Sequence, residues 1–115
     1  MAALGIFKNA IKKEVGTSWT PIYTAPVGKT SYIIECDIAS NGNTGVQVSV
    51  RIVDVSALPA PIEAHIVKNA PIPVGSAIQI IDGQKIVLES GDILQVKCES
   101  TGQTVDVVTS LVEDV

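Results

Sequence analysis

Between residues 20 and 112 apolar and polar side chains alternate with a period of two, and that period restricts the fold more than any other feature of the chain. Tyr32, Ile34, Cys36 and Ile38 alternate with Ser31, Glu35 and Asp37, broken only at Ile33. Val46, Val48, Val50 and Ile52 alternate with Gln47, Ser49 and Arg51, and Leu94, Val96 and Cys98 with Gln95, Lys97 and Glu99. Successive side chains of a strand point to opposite faces, so each segment offers one apolar and one wet face. Such segments are half-buried antiparallel strands, unlike the continuous apolar runs of a parallel sheet covered by helices.

Turn residues divide these segments at short intervals. Asn41-Gly42-Asn43 follows one strand, Asp82-Gly83 reads as a tight hairpin turn, and Ser90-Gly91-Asp92 and Thr101-Gly102 reverse the chain again. The reading gives eight strands, at 20–23, 30–38, 46–55, 63–68, 77–81, 86–88, 92–100 and 105–112, with 77–112 as a β-meander. The proline-bearing stretches 58–61 and 70–75 cannot donate ladder hydrogen bonds and are expected to carry the chain between sheets. The expected fold is therefore all-β, an antiparallel jelly-roll-like β-sandwich. A single small barrel is the alternative, because alternation specifies the buried face of a strand but not its neighbours.

Ahead of residue 16 the spacing differs. Leu4, Phe7 and Ile11 recur at intervals of three and four, with Lys8, Lys12 and Lys13 elsewhere on the helical wheel and Gly16 as a stop. That predicts a short N-terminal amphipathic helix or arm over 1–15, followed by the sandwich domain over 16–115. A helix this short must pack its apolar stripe on something, either the domain's own sheet or a neighbouring chain. In the second case, deletion of 1–15 leaves a folded β domain that no longer joins its assembly.

Reactive chemistry is sparse. The 115 residues form one domain with a formal charge of -4, and the single arginine, Arg51, leaves no basic stripe for nucleic acid. No apolar run reaches the ~20 residues of a bilayer span, so no membrane partner is expected, and the lysines after Phe7 argue against a secretory signal. An intracellular product is expected. Cys36 and Cys98 are too few and too far apart for a CxxC site and are read as reduced core thiols, although they could pair across a sheet.

His65 is the sole imidazole; Glu63 shares its strand face, but no further ligand is close enough in sequence to make a metal site. No Gly-x-Ser-x-Gly elbow supports a Ser-His-Asp triad. Glu35 with Asp37, and Glu89, Asp92 and Glu99, are acidic groups better read as solvated strand faces than as a glycosidase pair, given so few aromatic platforms. Neither GxGxxG nor a P-loop occurs. No catalytic residue, cofactor or metal is expected. Trp19 and Tyr23, at the entry to the first strand, are expected to anchor a core or an interface.

Several runs carry a resemblance. Tyr-Thr-Ala-Pro-Val-Gly-Lys-Thr-Ser-Tyr (23–32), Ala-Ser-Asn-Gly-Asn (39–43), Ile-Val-Lys-Asn-Ala-Pro-Ile-Pro (66–73), Lys-Ile-Val-Leu-Glu-Ser-Gly-Asp (85–92) and the closing Ser-Leu-Val-Glu (110–113) resemble small virion structural proteins of tailed bacteriophages. The resemblance covers about residues 20–113 and implies a non-enzymatic particle component. Its leading form is a capsid decoration or cement protein that self-associates, with a trimer expected, and that contacts the major capsid protein. A neck, tail or baseplate protein is the alternative, and a carbohydrate-binding β-sandwich the third. Location in the virion follows. Its interface residues are expected to be Leu4, Phe7, Ile11, Trp19, Pro71, Ile72 and Pro73.

Overall fold

The computed structural model describes residues 5–56 and 59–113, the side chains of 82–84 excepted. Eight strands run through them: β1 (Ile6–Val15), β2 (Thr20–Thr24), β3 (Ser31–Ser40), β4 (Val46–Asp54), β5 (Ile62–Ile72), β6 (Ala77–Leu88), β7 (Ile93–Cys98) and β8 (Val105–Glu113). They form two four-stranded antiparallel sheets, β1-β8-β3-β6 and β2-β7-β4-β5, called sheet A and sheet B below. Only β4 and β5 are chain neighbours within one sheet; every other link between successive strands crosses from one sheet to the other. The meander expected over 77–112 is therefore replaced by β6, β7 and β8 on alternating sheets. Two separate sheets also replace the single-barrel alternative.

Alternation holds best in β7 and β8. Leu94, Val96 and Cys98 from β7 and Val105, Val107, Thr109 and Leu111 from β8 all point inward and are at most 1% exposed. Ile33, Ile38 and Leu88 from sheet A meet Val48, Val50 and Leu94 from sheet B across a core of aliphatic side chains. Each such side chain contributes about 1.5–3 kcal/mol on burial.

Three departures from the expected elements have local causes. The first is the N-terminal segment, where the structure has a strand and no helix is found among the described residues. Phe7 and Ile11 are four apart, a spacing that fits one face of a helix and one face of a strand equally. β1 pairs with β8 from Ile6↔Glu113 to Val15↔Val105, and that ladder supplies hydrogen bonds that an isolated helix of this length cannot match. A bulge at Glu14, whose φ is 56°, sets Val15 into the core at 2% exposure. Lys8 and Lys12 take the inward phase of this edge strand, a placement that discourages pairing with a foreign strand.

The second departure is β6, which runs unbroken through Asp82-Gly83 where a hairpin turn was expected. Its partner β3 pairs Ile33 with Ile86 and Glu35 with Asp82, so the extra residues are taken up as a bulge and not as a reversal. The third lies opposite. The same irregularity shifts the phase of β3, burying Ile33 completely while Ile34 stays half-buried and Tyr32 turns outward. A one-residue slip moves every following side chain to the other face. The expected and observed strand totals agree only because β1 was gained where 77–81 and 86–88 fused.

Candidate functional site

Among the described residues, the outer face of sheet A gathers several exposed apolar side chains, Phe7, Ile11, Val87 and Val108. Register aligns Phe7 with Val112, Val112 with Tyr32, and Tyr32 with Val87, a row crossing all four strands. Phe7 is 80% and Val87 50% exposed. Four residues along β1, Ile11 pairs with Val108, exposed at 62% and 44%. Between the two rows run Asn9, Ser110 and Glu35, and Asp37 extends the Ile11 row onto β3. Among the described side chains, Asp37 holds the one buried polar atom without a hydrogen-bond partner, its Oδ1. Patches of this kind on a small domain mark contact surfaces.

Of the expected interface residues, Phe7 and Ile11 lie on this face, and Leu4 lies outside the described residues. Pro71 and Pro73 are exposed where β5 ends, beside a shallow depression of about 400 Å³ that also touches Gly45 and Ser100. Ile72 between them is 1% exposed and belongs to the core, so it has no surface to offer a partner. Trp19 is on the other sheet. Val112, Val108, Tyr32 and Val87 escaped the sequence reading, although apolar residues in both phases of Val-Asp-Val-Val-Thr-Ser-Leu-Val over β8 were a usable signal.

Sheet B presents a polar outer face built around Trp19. The Arg51 guanidinium lies 4.1 Å from the centre of the indole and the Lys97 ammonium 5.0 Å, while the His65 ring packs at 5.6 Å with a 59° tilt. Arg51 also donates to Gln95 Oε1 at 2.7 Å and pairs with Glu63 at 3.2 Å. Glu99 accepts from Ser49 Oγ and pairs with Lys97 at 3.5 Å; these partners, Ser49 foremost, hold its carboxyl below the usual carboxylate range. The indole is thus clamped by cations, with each charge answered locally.

A second cluster closes one end of the sandwich. Tyr23 donates to Glu113 Oε2 at 2.5 Å and shares a 2.7 Å bond with Ser31, while Lys8 Nζ donates to Glu113 Oε1 at 2.9 Å. Four strands, β1, β2, β3 and β8, are tied together by these side chains. Burial first, and then the adjacent Glu113 carboxylate, push the Tyr23 hydroxyl up to about 12. The Tyr23 hydroxyl and the Lys8 ammonium hold the Glu113 carboxyl below its ordinary value.

A lowered native value means that the Glu113 contribution is present above the unfolded carboxylate pKa and is lost as pH falls through the native one. Tyr23 behaves in the opposite sense: its contribution is complete below 10 and fades as pH rises toward about 12. Thermal melts of the wild type from about pH 5 to about pH 3 are expected to show a falling midpoint whose slope is reduced in Glu113→Gln. Equal slopes in the two proteins remove Glu113 as the source.

The candidate reactive groups have structural partners. His65 packs on Trp19 and Glu63 serves Arg51. Asp92 accepts from the backbone N–H groups of Glu89 at 3.0 Å and Val55 at 3.3 Å, which fixes the turn before β7. Cys36 and Cys98 are free and fully buried, and burial pushes the Cys36 thiol up to about 11. Among the described residues no group of three or more His, Cys, Asp or Glu side chains could hold a metal ion. A polar depression of about 440 Å³ at the other end is lined by Lys13, Asn41, Thr104 and Asp106. Asp106 Oδ1 there accepts from the Glu14 N–H at 2.9 Å and from Asn41 Nδ2 at 2.8 Å.

No family model matches the chain, and no curated protein does. Solved structures that share its fold over the whole chain include two. One is a chain of the acid-stable capsid of Helicobacter pylori bacteriophage KHP30, with a TM-score of 0.55 and 9% identity, covering 100% of this chain and 90% of that one. The other is a chain of Bacillus endospore appendages, described as disulfide-linked pili, with a TM-score of 0.54, 8% identity and coverage of 100% and 90%. At these identities the likeness is one of fold, and both neighbours are components of structural assemblies.

Proposed function

We propose that this chain is a non-enzymatic structural protein of a bacteriophage virion, a capsid decoration or cement protein that acts by contacts with its own copies and with the major capsid protein. The observation that carries the reading is the exposed apolar face on a rigid sandwich whose reactive side chains are engaged in structural contacts. Full-length likeness of fold to the phage capsid chain supports it, as does the likeness to a pilus component for self-assembly in general. The strand order β1-β8-β3-β6 and β2-β7-β4-β5 reads as a jelly roll, a fold that capsid proteins use widely. A cement protein needs only repeated burial of surface, a few kcal/mol per contact set against the cost of immobilisation.

Immunogold labelling of virions purified from a lysate containing this protein tests the reading. Label over heads is the expected result. Label restricted to the neck, tail or baseplate overturns the decoration role, and unlabelled particles overturn the virion assignment.

A further inference from the structure

We propose that the outer face of sheet A packs face to face on the same face of a second copy, about a twofold axis running along the strands. The inference rests on the self-association reading above and adds to it the surface, the occupant and the symmetry.

Symmetry follows from the row. A twofold along the strands reverses the strand order of the opposing sheet, so that β1 lies over β6 of the partner subunit and β8 over its β3. The row Phe7, Val112, Tyr32, Val87 then meets itself in reverse. Phe7 faces Val87 of the partner subunit, and Val112 faces Tyr32 of the partner subunit. Each contact occurs twice, and each is apolar on both sides.

Charge discriminates between the two twofolds a sheet face allows. At full overlap of the two faces, an axis across the strands stacks β3 on β3 of the other copy and brings Glu35 and Asp37, near the middle of that strand, against the same stretch of the partner subunit, a like-charge arrangement. The axis along the strands places that acidic stretch over β8, where Ser110 in the register of Glu35 offers a hydroxyl donor and Val108 in the register of Asp37 brings no like charge.

Area is sufficient as well. Four strands about 4.8 Å apart and ten residues long at about 3.4 Å per residue give roughly 600 Å² per copy. Two such faces bury roughly 1,200 Å², the lower end of the range for specific interfaces. The outer face of sheet B fits this role less well, because its Trp19, Arg51 and Lys97 already serve one another.

An isologous contact closes at two copies, whereas the resemblance raised the expectation of three. Sedimentation equilibrium of the purified full-length chain, alongside Phe7→Asp, Val87→Asp and the control Val27→Asp, separates the possibilities. Phe7 and Val87 are on the face, while Val27, 90% exposed, lies in the turn between β2 and β3. The expected result is a wild-type dimer, an unaffected Val27→Asp dimer, and dissociation constants at least about 30-fold higher for the two face variants. Far-ultraviolet circular dichroism of the variants is expected to stay wild-type, since neither side chain is in the core.

Face variants that associate like wild type overturn the surface and leave self-association standing. A trimer in place of the dimer overturns the twofold whatever the variants do. A wild-type chain that is monomeric at every concentration overturns both this inference and the self-association on which it rests.

Discussion

Deletion of residues 1–15 is expected to destabilise the whole sandwich by at least about 4 kcal/mol, not to trim an arm from an intact domain. The segment contributes β1, an edge strand laddered to β8 over most of its length. Its loss removes Val15 from the core, takes the Lys8 ammonium from Glu113, and leaves β8 as a new edge. That edge carries outward Val108 and Val112 and lacks the lysines that protect β1, which also favours aggregation. Against a typical domain stability of about 5–15 kcal/mol the change is large. Urea unfolding followed by circular dichroism checks it: a truncated protein with the wild-type midpoint refutes the claim that β1 is integral.

Leu94→Ala is expected to cost about 3 kcal/mol, within the range of roughly 2–5 kcal/mol seen for buried Leu truncations. Leu94 is fully buried at the middle of sheet B, where β7 is flanked by β2 and β4. It is flanked by Ile52 directly across on β4 and Tyr23 directly across on β2, both held on laddered strands, so the cavity left behind collapses poorly. Leu94→Ile keeps the volume and is expected to cost less than about 1.5 kcal/mol. The comparison of the two variants by equilibrium unfolding isolates the cavity: equal losses point to side-chain shape, and a negligible loss in both excludes this position from the core.

Several elements were legible in the residues. β7 and β8 alternate buried and less buried side chains throughout, and β4 does so up to Val48; of the side chains read as inward, Val46, Val48, Val50, Leu94, Val96 and Cys98 are buried in the fold, while Ile52 is half-buried and Val53 beside it is buried instead. β3 was legible as a strand, and in phase at Cys36 and Ile38 but not at Tyr32 and Ile34, because the irregularity between Ile33 and Glu35, where β6 has two residues more, leaves no local mark. β1 was misread because one four-residue spacing serves two periodicities. Asp82-Gly83 has the composition of a turn, yet the continuous ladder with β3 holds it extended.

The candidate surface was half legible. Phe7 and Ile11 were picked out as interface residues, but for a helix stripe; their partners Val112, Tyr32 and Val87 come from three other strands and are brought into one row by register alone.

Alternation written along the chain settles that the protein is all-β and which flank of most strands is dry, since side-chain direction is a local property of extended backbone. Pairing is not local. Lys8 meets Glu113 across 105 positions of sequence, and such closures are decided by the summed burial and hydrogen bonding of both sheets at once. The two-sheet order, the strand at the N-terminus and the apolar row over sheet A therefore exist only once the chain has folded.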